Sequence, residues 1–347
     1  IVSYFSEDHF LFHSGFLSIS RAQALAICII ILLTFINTKG IKAAKILQTT
    51  FTLTKLLSLF GLILAGLLIA DPAIWKANWE NGWTIQKISI DGIITGYTSF
   101  AALGAIAAAM VGSIFSADSW NNVTFIASEI KNPKRNIGLS LFFGTLIVTV
   151  IYILANVMYL SVLSLQEIAR ADKDRVAAEA AQAIFGRPGT IIIALMIMVS
   201  TFGCNNGLIL AGARVYYTMA KDGIFFQRAG KLNQHNVPSF SLWVQCAAAC
   251  LWCISGKYGD LLDMISFTVV LFYVLTVAGI FVLRKRRPEI ERPYKAFGYP
   301  ILPATYIIMG LCFCILLVIF KPQFTWPGMI ITLLGIPVYY IIIRKKD

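Results

Sequence analysis

The feature that most limits how this chain can fold is a series of long apolar runs that recurs from one end to the other. A run of about 20 apolar residues is long enough to cross the roughly 30 Å hydrocarbon core of a bilayer as a helix. The composition agrees, because 58% of the 347 residues are hydrophobic and only 13% are charged. A soluble chain carries about a quarter charged residues. The sequence therefore predicts an all-α integral membrane protein.

We predict nine membrane-spanning helices and short connections between them. The predicted spans are 22–37, 46–70, 92–130, 137–162, 189–219, 239–255, 261–283, 301–319 and 326–343. We expect residues 1–20 to form an external loop and residues 166–185 a short surface helix. The tryptophan-rich segment 71–91 has the spacing of an amphipathic stretch that lies in the membrane interface.

The basic residues indicate the orientation of these spans. The loops after the odd-numbered spans, together with the C-terminus and with Glu129 and Arg214 counted to that side, hold 19 Lys and Arg residues and 5 acidic residues, whereas the opposite side, with Asp263 counted to it, holds 9 and 11. Because cytoplasmic loops are rich in Lys and Arg, we expect the N-terminal end outside and the C-terminus in the cytoplasm. The net charge of +12 then reflects membrane topology and not nucleic-acid binding.

The residues that usually carry enzymatic or metal chemistry are poorly placed for it. All seven cysteines lie in or beside apolar runs, which is typical of small core residues and not of disulfides or a metal site. The three histidines fall in loops, and no hydrolase or metalloprotease motif is present. We therefore predict no cofactor and no enzymatic activity, and keep a channel or a sensor as further alternatives to a carrier.

A polar break interrupts the third predicted span. Ser116, Ala117, Asp118 and Ser119 follow the apolar run that ends at Phe115. A carboxylate at the bilayer centre costs roughly 2.5–3.5 kcal/mol on insertion scales. Opened backbone is tolerated at membrane depth only where it is buried in protein or lines a cavity. We interpret this break as a ligand site.

Lys55, in the second span, is the other charge that we place clearly inside the membrane. Either Lys55 and Asp118 form a structural ion pair, or Asp118 faces a cavity and meets a substrate amine or a proton. In the second case Lys55 is a fixed charge that supports an unwound neighbour. Asn205 and Asn206 form a second polar insertion, in the fifth span. They either border the site or serve helix packing.

Three stretches resemble motifs of the amino acid–polyamine–organocation superfamily, in its L-type amino acid transporter branch. FSADSWNNVTFIASEIKNPKRN, which begins at Phe115, resembles the sixth-helix signature, typically F-A-Y-x-G-W-N followed by N-P-x-R-N. Residues 200–223 are similar to the eighth-helix pattern of small residues, NG, AR and DG. Residues 284–303 are similar to the linker before the eleventh helix.

The resemblance covers nearly the whole chain and implies a LeuT-like inverted-repeat fold. The nine spans would be helices four to twelve of twelve, in a single permease domain over residues 1–347 that lacks the first three helices. It also implies sodium-independent exchange of amino acids by alternating access. The alternative is proton-coupled symport of amino acids or polyamines, with Asp118 or Glu129 as the titrating group.

The resemblance further implies roles for individual residues. The implied substrate-binding residues are Phe115, as an aromatic gate, and Ser116, Ala117, Asp118, Ser119 and Asn121 in and beside the unwound segment. Lys55 matches a fifth-helix lysine that stands in for the sodium ion of sodium-coupled relatives. The implied neighbours on the eighth helix are Ser200, Cys204 and Asn205.

Departures from the family pattern change what we expect of the pocket and of partners. Ala117 replaces the usual aromatic residue, and Ser119 replaces the usual glycine. An acid at the position of Asp118 also occurs in members that handle cationic as well as neutral amino acids. The loop 1–20 has no cysteine, whereas animal light chains carry one there for a heavy-chain partner. We therefore expect a bacterial inner-membrane protein without a disulfide-linked heavy chain.

Overall fold

The computed structural model describes residues 10–14, 17–80, 84–88, 94–96, 99–171, 175–255, 258–292 and 296–344. Within these residues the chain forms twelve α-helices, two 3₁₀ helices and two short β-hairpins. The helices are α1 (Arg21–Thr38), α2 (Ile41–Leu68), α3 (Pro72–Glu80), α4 (Ser99–Ser116), α5 (Pro133–Val162), α6 (Leu165–Ala169), α7 (Val176–Phe185), α8 (Arg187–Lys221), α9 (Ser239–Ser255), α10 (Tyr258–Arg286), α11 (Ile301–Phe320) and α12 (Pro322–Arg344). The 3₁₀ helices are Asn122–Glu129 and Gln227–Gly230, and the strands are β1 (Phe10–Ser14), β2 (Leu17–Ser20), β3 (Gln86–Ile88) and β4 (Ile94–Gly96).

Six helices are long and apolar enough to cross a membrane. They are α1, the Gln48–Leu68 part of α2, α5, α8, the Leu261–Arg286 part of α10, and α11. The third, sixth and ninth predicted spans are also helical, in α4, α9 and α12, but their apolar stretches are only 10–17 residues long. The chain is thus an all-α multi-pass membrane protein, and the number of nine spans stays a prediction.

The candidate spans expose most of their apolar side chains. In α5, none of the 18-residue apolar window is buried, and Phe142 is 61% exposed. Water would make such a surface strongly unfavourable, whereas lipid tails are as apolar as the side chains themselves. The exposed surface is therefore the expected lipid-facing side of these helices.

The described residues divide into two compact units. Unit 1 comprises Ile1–Gly96 with Thr145–Ser255, and unit 2 comprises Tyr97–Gly144 with Gly256–Asp347. Each unit has its own buried apolar core.

In unit 1, one core cluster is centred on Met158 and joins α2, α5, α7 and α8, while a second around Leu33 joins α1, α8 and α9. In unit 2, the core around Phe313 joins α4, α10 and α11. The helices of unit 2 that carry the polar break are thus fixed by packing within the same unit.

Polar side chains close the helix ends in unit 1. Ser20 caps α1 by accepting a hydrogen bond from the Gln23 amide (3.2 Å), and the Ser20 amide donates to Gln23 Oε1 (2.9 Å). Gln23 Nε2 also donates to the Cys253 carbonyl near the end of α9 (2.9 Å). One capping box thereby joins the start of α1 to the end of α9.

Asn78, at the end of α3, satisfies three backbone groups at once. Its Nδ2 donates to the carbonyls of Leu160 (2.9 Å) and Leu163 (2.8 Å), and its Oδ1 accepts from the Leu165 amide (2.9 Å). Leu160 lies in the last turn of α5, Leu163 follows the end of α5, and Leu165 is the first residue of α6. Carbonyls at a helix end have no partner within the helix, so Asn78 replaces the water that would otherwise bind them.

The predicted first loop contains a hairpin, in which β1 pairs with β2 from Phe10 opposite Ser20 to Ser14 opposite Leu17. Two predictions about the connections were wrong. The predicted surface helix over 166–185 is two helices, α6 and α7. The third span does not begin at residue 92, because β4 pairs with β3 and α4 starts only at Ser99. The β-branched residues in this glycine-flanked segment favour a strand over a helix.

The predicted interfacial segment contains α3. The rings of Trp75 and Trp79 lie 5.7 Å apart on this helix. Trp83 lies outside the described residues.

Candidate functional site

The predicted interruption of the third span is confirmed. Helix α4 ends at Ser116, whose hydroxyl donates to the Gly112 carbonyl (2.5 Å). The Asp118 amide then donates to the Phe115 carbonyl (3.1 Å), three residues back. After a turn the chain continues as the 3₁₀ helix Asn122–Glu129 instead of an α-helix. Backbone groups at the break are therefore released from the regular α-helical pattern.

Ser119 turns the chain at the break in a left-handed conformation. Its φ is +66°, a value at which any residue with a Cβ pays roughly 1–2 kcal/mol and glycine pays almost nothing. The resembled motif has glycine at this position. The backbone geometry gives a physical reason for that glycine.

Tyr273, on α10, joins several residues of the break. Its hydroxyl donates to Asp118 Oδ1 and lies 3.3 Å from Asn121 Oδ1. Its ring packs against Trp120 with centroids 5.7 Å apart and planes tilted by 59°. Because a phenol has one hydrogen to donate, the charged carboxylate is the acceptor and the amide oxygen is a secondary contact.

The negative charge of Asp118 is not balanced within unit 2. Among the described residues of this unit, Asp118 forms no ion pair, and the phenol of Tyr273 is a neutral donor. Asp263 in the same unit differs, since Lys321 Nζ lies 2.7 Å from its Oδ2. Of these two carboxylates, Asp118 is the one that has no cationic partner among the described residues of unit 2.

Lys55 and Cys204, both predicted near the site, lie together in unit 1. Lys55 Nζ on α2 is 3.5 Å from Cys204 Sγ on α8. Ser200 and Asn205 also lie on α8, and both are partly buried. Lys55 and Asp118 belong to different units, so the ion-pair alternative stays a prediction.

Asn206 belongs to a buried polar network between three helices of unit 1. It accepts from Asn37 Nδ2 on α1 (2.9 Å) and donates to Gln48 Oε1 on α2 (3.2 Å). Asn37 also donates to the Leu33 carbonyl (2.8 Å). Both asparagines are 0% exposed. For Asn206, the packing interpretation is therefore the one that the contacts support.

The sequence did not identify Tyr273 as part of the site. It lies 155 residues from Asp118, in an apolar stretch where aromatic residues are common. The only available signal was its hydroxyl, because a buried Tyr in a span needs a hydrogen-bond partner.

Cysteines and possible metal ligands form no second site in the described part of the chain. The seven cysteines are free thiols. Among the described residues, no group of three or more His, Cys, Asp or Glu side chains could hold a metal ion. The side chain of Glu129 lies outside the described part of the structure.

Apolar helices, one of which is broken next to a carboxylate, are a combination that is also found in transporters with discontinuous helices. A sequence model of the amino acid permease family matches residues 2–343, and the chain belongs to this family.

The chain is similar to curated mammalian transporters. It is 26% identical to the human b(0,+)-type amino acid transporter 1 over 330 residues, which cover 93% of this chain and 63% of that protein. The rabbit protein of the same name is 28% identical over 278 residues, 79% of this chain and 53% of that protein. The rabbit large neutral amino acids transporter small subunit 2 is 28% identical over 336 residues, 95% of this chain and 59% of that protein. The chain thus spans little more than half the length of these relatives.

Proposed function

We propose that the protein carries amino acids across the membrane by sodium-independent exchange. The observation that carries this proposal is Asp118, a carboxylate on a helix break that is held by a neutral phenol and forms no ion pair among the described residues of unit 2. Membership of the amino acid permease family supports it, as do the transport activities in the names of the relatives.

The break offers complementary groups to an amino acid's head group. The C-terminal end of α4, at Ser116, carries the negative end of a helix dipole and favours an ammonium group. The carboxylate of Asp118 adds a full negative charge nearby. The N-terminal end of the 3₁₀ helix that follows, at Asn122, carries the positive end of a helix dipole and favours a carboxylate. A zwitterion therefore fits this break better than a neutral solute.

The proposed roles follow the order of residues along the break. Phe115 covers the substrate, and the backbone of Ser116, Ala117 and Ser119 binds its head group. Asn121 borders the pocket together with Tyr273, and Asp118 makes a cationic side chain an acceptable substrate.

In unit 1, we propose that Lys55 is a fixed cation in place of sodium, with Ser200, Cys204 and Asn205 as neighbours. We further propose that the nine spans are helices four to twelve of a LeuT-like fold, with the C-terminus in a bacterial cytoplasm and no disulfide-linked partner.

Proton-coupled symport is the second candidate. A carboxylate whose recorded partner is a neutral hydroxyl can take up a proton and release it without breaking an ion pair within unit 2. Exchange and symport require different driving forces, so they can be separated directly.

The deciding experiment uses proteoliposomes that contain the full-length gene product. Exchange predicts uptake of labelled amino acid only when the vesicles are preloaded with amino acid, with no response to a pH gradient. Uptake into empty vesicles that is driven by outside acidification alone would replace exchange by symport. Absence of amino-acid transport under both conditions would reject the proposal as a whole.

Replacement of Tyr273 by phenylalanine tests the geometry of the site. The Tyr273 hydroxyl orients the Asp118 carboxylate. Without this hydrogen bond, which is worth about 1.5–3 kcal/mol, the carboxylate is free to turn away from the substrate, and we expect KM for substrate to rise by up to about tenfold. Tyr340→Phe is the matched control, because Tyr340 is an exposed tyrosine on α12 of the same unit. Equal KM values for both variants would show that Tyr273 does not contribute to the site.

Replacement of Lys55 by alanine tests the proposed fixed charge. We expect lower transport in sodium-free buffer and partial recovery when sodium is added, because sodium would supply the missing cation. Transport that is unchanged and independent of sodium would contradict this role.

A further inference from the structure

We propose that α2, α7 and α8 of unit 1 form a groove that binds one phospholipid, with an acyl chain in the groove and the lipid phosphate at Arg187. The groove has a volume of about 370 Å³, within the range of about 300–1,000 Å³ that is typical of small-molecule sites. It is separate from the broken helix, which lies in unit 2.

The lining of this lipid groove selects an apolar occupant. Leu57 and Gly61 of α2 form one wall, Phe185 closes one side from α7, and Ile192 and Met196 of α8 form the other wall. Ser58 is the only lining residue with a polar side chain. A sugar or an amino acid would lose hydrogen bonds to water here without replacing them, which is costly, whereas a hydrocarbon chain loses none.

The groove lies at a depth where acyl chains are the surrounding medium. Its α2 residues fall within the candidate span Gln48–Leu68, and its α8 residues fall within Arg187–Lys221. Leu57 is 63% exposed and Ile192 is 47% exposed at its rim, so the lining is continuous with the lipid-facing surface of both helices. A lipid can therefore enter sideways from the bilayer.

Arg187 supplies the charge that distinguishes a phospholipid from a plain hydrocarbon. It is the first residue of α8, it is exposed, and it forms no ion pair among the described residues. The α8 lining runs from Gly189 to Met196, or roughly 3–14 Å further along the helix axis. A guanidinium binds phosphate oxygens in a two-pronged geometry. Along α8, the cationic Arg187 is followed by the apolar lining of the groove. A phospholipid, with a phosphate followed by an acyl chain, has the matching order of groups.

Gly61 provides a way to fill the lipid groove without disturbing the fold. No atom lies within 4 Å of a Cβ built at this position, so a leucine there projects into the groove instead of into a neighbour. Gly144→Leu is the matched control, because Gly144 on α5 has equally open surroundings and does not line the groove.

The experiment is native mass spectrometry of the purified full-length protein in detergent, titrated with dioleoylphosphatidylglycerol. We expect the wild-type protein and Gly144→Leu to retain one tightly bound lipid and Gly61→Leu to lose it. Arg187→Gln should bind this lipid about two- to fivefold more weakly, the range for an exposed ion pair. Oleic acid, which lacks the phosphate, should bind the wild-type protein more weakly than the phospholipid.

A second measurement does not depend on how the variants fold. A phosphatidylglycerol with a diazirine in its acyl chain should label peptides of α2, α7 and α8 that line the groove in the wild-type protein. Labelling only at other helices would overturn the proposal. The same lipid stoichiometry in Gly61→Leu and in the wild-type protein would also overturn it, and affinity that is indifferent to Arg187 would overturn the phosphate contact.

Discussion

One group of polar side chains in each unit lies among apolar helices, and the two groups differ in charge and in their hydrogen-bond partners. In unit 1, Asn37, Gln48 and Asn206 are neutral, lie on intact helices and bond to one another. In unit 2, Asp118 is charged, lies where a helix has broken, and has a neutral hydroxyl as its partner. The comparison indicates that polarity alone does not mark a site in a membrane protein. Incomplete hydrogen bonding does not mark one either, since Asn37 Oδ1 in unit 1 is buried without a hydrogen-bond partner; what sets Asp118 apart is its charge and its position at a helix break.

The largest expected effect is a loss of transport when the charge of Asp118 in unit 2 is removed. Asp118→Asn keeps the shape of the side chain and an acceptor for Tyr273 but removes the charge. An interaction with a charged group is worth about 1.5–3 kcal/mol, so transport of a cationic substrate should fall about tenfold to a hundredfold. Thermal stability should change little. The measurement is kcat/KM across a panel of cationic and neutral amino acids.

The outcome that contradicts this prediction is unchanged kinetics across the whole panel. A large fall in melting temperature would instead assign Asp118 a structural role like that of the asparagines in unit 1.

The next largest effect is a loss of stability when Asn206 is removed from the polar network of unit 1. Asn206→Leu leaves an Asn37 donor and a Gln48 acceptor without their partner, and we expect it to lower the free energy of unfolding by about 1–2 kcal/mol. Thermal unfolding in mild detergent measures the loss. Asn205→Leu is the control, because Asn205 is only partly buried. A larger loss for Asn205→Leu than for Asn206→Leu would show that the network is not a source of stability.

The ion pair between Asp263 and Lys321 provides a paired carboxylate in unit 2 with which Asp118 can be compared. The side chain of Asp263 is 15% exposed and that of Lys321 is 30% exposed, so removal of the lysine leaves a mostly buried charge. We expect Lys321→Ala to cost about 1 kcal/mol of unfolding free energy. The double variant Lys321→Ala/Asp263→Asn should recover part of this loss. No recovery in the double variant would mean that lost packing, and not charge, explains the cost.

The smallest expected effect concerns the turn at the break. Ser119→Gly removes a left-handed strain, and we expect a gain of up to about 1 kcal/mol in unfolding free energy. Ser113→Gly, inside α4, is the control and should lose about 0.5 kcal/mol through lower helix propensity. Losses of similar size in both variants would show that Ser119 makes a compensating contact.

The length of each apolar run determined how well the corresponding helix could be predicted from the sequence. The sixth predicted span coincides with α9, and the first differs from α1 by one residue at each end, because long apolar runs with polar caps admit few alternatives. The start of the third span was predicted wrongly because residues 94–96 are equally compatible with a strand. These residues pair with β3, and the hydrophobic periodicity of the sequence does not predict this pairing.

Only the part of the candidate site that is formed by consecutive residues could be predicted from the sequence. The break follows from four consecutive small or polar residues, Ser116 to Ser119, in one apolar run. Tyr273 was not predictable, because its role depends on how α10 packs beside α4. The buried position of Asn206 also required the packed structure, since adjacent residues on a helix differ in direction by about 100°.

Asn78 has a consequence for the order in which this protein loses structure. One amide closes backbone groups at the end of α5 and the start of α6 while it is itself anchored on α3. None of these three ends can fray without breaking hydrogen bonds that hold the others. Their amide protons should therefore exchange with solvent as one cooperative unit, and the junction should open in a single step instead of residue by residue.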